Sequence, residues 1–270
     1  EGERSVLMKA TSLIWIFDNR LHDVNDKKYK DLKVPTKVGI LNQAIVRFYT
    51  AVAANRDSND IFKRWLSPLE KTNIILKVKE SKDNYVVYEY PDRFGVISTV
   101  EIDAKKGRCS ATFEANPLPA KSIKAARFNE YWEPDFEFEQ TYRDEDADGI
   151  NIYHEKKFDI ENARISYLKN ILPIHAASLV KTEDGYTYHD GQKIVKDVDL
   201  EFGEGAEEPI IDIAVLLASD DGGDINLQVN KILNINLFNA YPKIKKDMER
   251  YEQLKQHERD IFNKLTCEKI

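Results

Sequence analysis

One stretch of this sequence has a spacing with known chemistry. Asp144, Asp146 and Asp148, then Gly149, then Glu155 after five further residues, fit the calcium-loop pattern D-x-D-x-D-G-x5-E. In such a loop, carboxylates at alternate positions converge on a hard cation. The glycine permits a sharp bend, and the last glutamate binds through both oxygens. An EF-hand loop joins two helices, however. This one follows the alternating Phe136-Glu137-Phe138-Glu139 and precedes Ile150-Asn151-Ile152-Tyr153, which are strand-like on both sides. Asn151 also stands where the eighth loop position is usually aliphatic. Two readings follow: an acidic, solvated turn between strands, and a calcium-stiffened hairpin.

Other chemistry is sparse. His22, His154, His175, His189 and His257 are scattered singly, without helical ligand spacing. Gly203-Glu204-Gly205 lacks a third glycine and sits among acids, so it would repel a phosphate. Neither a Gly-x-Ser-x-Gly elbow nor a His-Glu-x-x-His helix occurs. Asp220-Asp221 and Glu207-Glu208 read as a loop and a helix start. No catalytic residue, cofactor or metal is assigned, and a non-enzymatic protein is expected. Cys109 and Cys267 are far apart and lack CxxC spacing, so they read as free thiols in a reducing compartment.

The 270 residues carry 40 Lys and Arg against 47 Asp and Glu, a net charge of −7. That balance excludes a chain that coats nucleic acid through a basic face. The apolar run Leu13-Ile14-Trp15-Ile16-Phe17 is too short for a membrane span, and no secretory signal is visible. A soluble, folded protein made in the cytoplasm is expected.

The elements fall into sections. Val6, Leu13, Ile14, Ile16, Phe17 and Leu21 form one helical stripe. Ile40, Leu41, Ala44, Ile45, Phe48, Tyr49, Val52 and Ala53 form a second, with Thr36 as N-cap. Ile61, Phe62, Trp65 and Leu66 make a short third helix stopped by Pro68. From Ile74 to about Phe202 the period is two, with turns at Asp83-Asn84, Lys105-Lys106-Gly107 and Asp190-Gly191. Strands are predicted at 74–78, 85–90, 96–102, 110–113, 136–142, 150–153, 165–168, 174–180 and 193–195. Helical spacing returns after Pro209, at Ile210 to Leu217 and again at Ile225 to Leu237.

The last stretch is highly charged, yet Ile244, Met248, Tyr251, Leu254, Ile261, Phe262 and Leu265 recur at roughly heptad intervals. A lone helix of this kind is marginal in water and must lie on something. These seven residues are the predicted oligomer or partner interface. The fold class is α+β: a helical core of four to five helices, a large antiparallel β-rich insertion and a C-terminal helical arm. The expected divisions are 1–73 and 204–240 for the core, 74–203 for the insertion and 241–270 for the arm.

Three stretches carry a family likeness. Pro35-Thr36-Lys37-Val38-Gly39-Ile40-Leu41-Asn42-Gln43-Ala44-Ile45 resembles the early helix of the head-to-tail adaptors, or gatekeeper ring proteins, of short-tailed bacteriophages, the crAss-like phages among them. Tyr88-Glu89-Tyr90-Pro91-Asp92-Arg93-Phe94 looks like the step with which their β insert begins, with Tyr90 and Arg93 departing from it. Ile165-Ser166-Tyr167-Leu168-Lys169-Asn170-Ile171 resembles the strand before Asp199-Leu200-Glu201-Phe202 and the following helix. The resemblance implies a structural virion protein of the neck or tail, assembled in the host cytoplasm. It would form a ring, commonly of twelve copies, bind the portal protein and other ring or tail proteins, and let DNA pass without sequence-specific contact. Membrane partners are not expected. The alternative class is a monomeric calcium-dependent or peptide-binding α+β module.

Overall fold

The computed structural model describes residues 8–24, 32–118, 120–127, 129, 131, 133–180, 185–188, 190–219, 229 and 231–233. The fold is α+β. In chain order the elements begin with helices α1 (Ala10–Val24), α2 (Val34–Ala54) and α3 (Asp60–Leu66). Strands β1 (Glu70–Ile75), β2 (Val78–Ser81), β3 (Tyr85–Tyr88), β4 (Phe94–Lys106) and β5 (Cys109–Pro117) come next. Helix α4 (Ala120–Arg127) precedes β6 (Thr141–Glu145), β7 (Ile150–Tyr153) and β8 (Asp159–Lys169). A short hairpin of β9 (Tyr186–Thr187) and β10 (Lys193–Ile194) leads to α5 (Glu207–Ser219).

The chain divides into two compact units. One comprises residues 1–66 and 173–270, and the other runs continuously from Ser67 to Leu172. The first is therefore interrupted in sequence by the second. Residues 173–203, which alternate like strands, belong to the helical unit.

In the helical unit, α5 packs against both α1 and α2. Ala10, Leu13, Ile14, Phe17 and Leu21 are buried on α1, and Ile210, Ile211, Ile213 and Ala214 on α5. On α2 the buried stripe is Val38, Leu41, Asn42, Ala44, Ile45, Phe48, Tyr49 and Val52. Pro35 sets the helix start earlier than predicted. Its fixed φ suits the first turn, so Lys33 rather than Thr36 stands at the N-cap, with no side-chain cap bond. The Asn59 carboxamide oxygen accepts the Ile61 N–H (2.9 Å) at the start of α3, and Asp199 accepts the Ala10 N–H (3.0 Å) at the start of α1. Phe48, Trp65, Phe62 and Phe202 form an aromatic cluster with centroids 5.1–5.6 Å apart. Gly203 lies so close to α3 that a Cβ there would overlap the Arg64 carbonyl oxygen.

The inserted unit holds an eight-stranded sheet in the order β1-β8-β4-β5-β6-β7-β3-β2, antiparallel except for β5 against β6. Its nominal edges, β1 and β2, are separated by only two residues. The Leu76 N–H donates to the Ala163 carbonyl of β8 (2.8 Å), while the Lys77 carbonyl accepts the Glu89 N–H just beyond β3 (2.9 Å). Consecutive Cα atoms are about 3.8 Å apart, so both ends of the sheet meet at this point. The sheet is curled so that its two end strands run into one another: β1 pairs with β8 and β2 with β3, and among the described residues neither has a second ladder partner. Val86, Tyr88, Val100, Ile102, Phe113, Ile150, Ile152, Ile165 and Tyr167 belong to its core. Burial in that core pushes the Tyr88 hydroxyl pKa up to about 12.

Several predicted strands shift. Residues 136–140 form a tight turn instead. The Asp135 carboxylate accepts the N–H groups of Glu137 and Phe138, and Glu139 takes a positive φ. Phe136 tucks against Phe113 and Phe158, leaving Phe138 82% exposed. Residues 174–180 make one isolated bridge at His175 and a 3-10 turn over Ala177–Leu179. The helix predicted at Ile225 to Leu237 is described only at residues 229 and 231–233, where Val229 and Leu233 are buried.

Candidate functional site

The calcium-like stretch forms the β6–β7 hairpin, and its geometry follows from ordinary turn chemistry. The Asp146 carboxylate accepts the N–H of Asp148 (2.8 Å), the N–H of Gly149 (3.1 Å) and the side-chain amide of Asn151 (2.8 Å). Those donors, Asn151 foremost, hold the Asp146 carboxyl below its usual range. Asp148 pairs with Lys79 (3.2 Å), and the Tyr153 hydroxyl donates to Asp144 (3.4 Å). Gly149 is required for a separate reason. Its φ is 153°, and a Cβ there would overlap the Tyr88 carbonyl oxygen.

Glu155 is the decisive residue for a cation. It follows β7, whose four residues rise about 3.3 Å each, so the turn and Glu155 stand on the order of 13 Å apart or more. Calcium ligands sit at roughly 2.3–2.6 Å from the ion. The two halves of the pattern therefore cannot meet on one ion in this conformation. Among the described residues, no three His, Cys, Asp or Glu side chains are placed to hold a metal.

His189 and His257 lie outside the described residues. His175 is buried, its Nδ1 lies 3.1 Å from the Tyr186 hydroxyl, and its ring meets Tyr188 edge-on at 5.0 Å. Burial holds its pKa below the ordinary value, against a smaller opposing pull from Asp190. His154, at the end of β7, is lowered by burial too, partly countered by Asp159 and Glu155.

A larger feature lies on α2. Its outer face, formed by Thr36, Gly39, Ile40, Gln43, Val46 and Arg47, floors a groove of about 920 Å³. Pro173, Thr187 and Tyr188 line it as well. Asn42 fixes that arrangement from below. Its side chain accepts the Ile174 N–H (2.8 Å) and donates to the Ile174 carbonyl (3.1 Å) and the Tyr188 hydroxyl (3.0 Å), all buried. One amide thus ties the chain returning from the inserted unit to α2. Val46 is 55% exposed, and among the described residues a Cβ at Gly39 would meet nothing within 4 Å.

None of this groove was singled out as a site from sequence. The available signal was a glycine inside a helical stripe and a valine on its outward face. Of the predicted interface residues, Ile244, Met248, Tyr251, Leu254, Ile261, Phe262 and Leu265 all lie outside the described residues. Among the described residues, no helix is long and apolar enough to cross a membrane. No protein-family model matches this sequence, and comparison with curated proteins gives no match either.

Proposed function

We propose that this chain is a structural, non-enzymatic subunit of a head-to-tail connector. In this reading it forms a ring below a portal and continues the DNA channel towards the tail of a short-tailed phage. The observation that carries the reading is the interrupted helical unit. Residues 1–66 and 173–270 form one compact body, and a self-contained β unit is inserted between them. That order is the one the three resembling stretches imply. A helical body suits side-by-side packing in a ring, and a self-contained β unit suits contact with another component of the assembly. The charge of −7 per copy supports an acidic channel along which DNA slides.

The groove on α2 favours a second reading, a peptide-binding module, because a helix face with open space above Gly39 among the described residues fits helix-in-groove recognition. The two readings separate on one experiment. The mass distribution of the chain is measured alone, then mixed with the portal protein encoded nearest its gene. A discrete portal-plus-ring assembly is expected, and a monomer that ignores the portal removes the connector reading.

A further inference from the structure

We propose that the groove beside the turn at 136–140 of the inserted unit binds one ring of a neutral sugar. The proposal goes beyond the connector reading and does not depend on it.

The site begins with an aromatic ring held out of the core on a fixed backbone. Phe138 is 82% exposed. The Asp135 carboxylate accepts the N–H groups of Glu137 (2.7 Å) and Phe138 (3.1 Å). Asp135 and Gln140 also exchange both backbone hydrogen bonds, at 2.8 and 2.9 Å. Phe136, packed against Phe113 and Phe158, anchors the turn from inside. A large apolar face on a backbone that is already ordered loses little entropy when a ligand lies on it.

Beside this ring, polar groups have hydrogen-bonding capacity to spare. Asn116, Leu118, Phe138, Glu139, Gln140 and Tyr142 line a groove of about 460 Å³, a volume within the range of small-molecule sites. Asn116 pairs with Tyr142 in the β5–β6 ladder, so both side chains lie on one face of the sheet. Tyr142 is only 5% exposed, and the Gln140 carboxamide donates to its hydroxyl. The phenol's own hydrogen then has no acceptor among the described residues. Burial raises the Tyr142 pKa, which keeps the group a neutral donor. Asn116 is exposed, and its carboxamide makes no hydrogen bond among the described residues.

The chemistry of these groups selects the ligand. A pyranose ring has an apolar face of C–H groups and a rim of hydroxyls, each both donor and acceptor. Phe138 and the half-buried Leu118 suit the apolar face. The Asn116 carboxamide sets a donor group beside an acceptor and so matches two neighbouring hydroxyls. The Tyr142 hydroxyl supplies a buried donor to a third. Charge decides against a nucleotide or a sugar phosphate. The one charged side chain among the described lining residues is Glu139, whose carboxylate repels an anion but accepts from a hydroxyl.

The test is saturation-transfer difference NMR on the full chain. The probes are the methyl glycosides of glucose, galactose, mannose and N-acetylglucosamine at millimolar concentration, with adenosine monophosphate and trialanine as comparisons. Saturation is expected to reach one or more of the glycosides, most strongly the C–H protons of a single ring face. Phe138→Ala should weaken that binding about tenfold, the weight of one aromatic contact. Asn116→Ala should weaken it severalfold. Both side chains are exposed, so the melting temperature of either variant should match the parent's. No transfer to any glycoside, equal transfer in Phe138→Ala, or stronger transfer to the nucleotide or the peptide would each overturn the proposal. Portal binding is read separately. Sugar binding by a chain that ignores the portal would leave this site standing and remove the connector reading.

Discussion

Asn42 and Ile174 are 132 residues apart in sequence, yet the Asn42 carboxamide makes both hydrogen bonds to the Ile174 backbone, at 2.8 and 3.1 Å. The side chain does for Ile174 what a neighbouring strand would do, and it does so from the middle of a helix. That pair closes the helical unit around the point where the chain returns from its insertion. Asn42→Leu would leave a buried N–H and a buried carbonyl without partners. Each orphaned group costs on the order of 1–3 kcal/mol, so a loss of about 2–4 kcal/mol is expected. Urea unfolding followed by tryptophan fluorescence checks this, with Gln43→Ala, on the exposed side of the same helix, shifting by less than about 0.5 kcal/mol.

The β6–β7 hairpin yields a prediction about calcium. Because the Asp146 carboxylate is already engaged by two backbone N–H groups and Asn151, and Glu155 lies beyond the far end of β7, the loop has no converging ligand set. Millimolar calcium is expected to leave the melting temperature unchanged, and Asp144→Asn or Asp148→Asn should leave it within a degree or two. Gly149→Ala is different. It forces an alanine into a strained φ against the Tyr88 carbonyl, and a loss of about 2 kcal/mol or more is expected. A rise in melting temperature with calcium, abolished by Asp146→Ala, would instead establish a cation site.

The helices were legible because periodicity carries them. The stripes on α1, α2, α3 and α5 show the steps of three and four that one buried face requires. The strands were legible in part. Ile150 to Tyr153 alternates and is flanked by turn residues, whereas Phe136 to Glu139 alternates just as well and forms a turn. Asp135, by capping the following amides, overrides the alternation. Residues 174–180 misled in the same way: Ile174 is buried and tied to α2 by Asn42, and only His175 joins a β-bridge. Asn42 itself gave no sign of its role, since a polar residue among apolar ones reads as the edge of a stripe. The meeting of the sheet's two ends was invisible in sequence. Leu76 and Lys77 are ordinary strand residues, and only their partners reveal the exchange.

Acid should loosen the molecule before it affects the carboxylates. Burial is the main cause that lowers the pKa values of both His175 and His154 below the ordinary 6.5. In each case the unfolded chain takes up a proton more readily than the folded one. The contribution to stability is therefore intact above about pH 6.5 and is lost as pH falls from there through the lowered folded values. Thermal unfolding between pH 7.5 and 5 is expected to show this decline, and His175→Gln should flatten part of it. Lowering of the Asp146 carboxyl acts in a separate window: its contribution is present above the ordinary value of 3.8 and is lost as pH falls below it.

The seam at Leu76 and Lys77 can be tested by opening it. β1 and β2 each pair on one side only, so the handover at Leu76 and Lys77 is what keeps the two ends of the sheet together and limits the edge offered to other chains. The Leu76 N–H, bonded to Ala163, and the Glu89 N–H, bonded to Lys77, should exchange with deuterium as slowly as amides in the centre of β4 and β8. Leu76→Pro removes the first of these donors at the point of handover, so the strand can no longer serve both neighbours. Self-association on size-exclusion chromatography is expected for that variant. Leu76→Ala keeps the amide and loses only buried apolar area; it should melt earlier but remain of the parent size. Rapid exchange of either amide in the parent chain would show that the edges part in solution, and Leu76→Pro would then associate no more than Leu76→Ala.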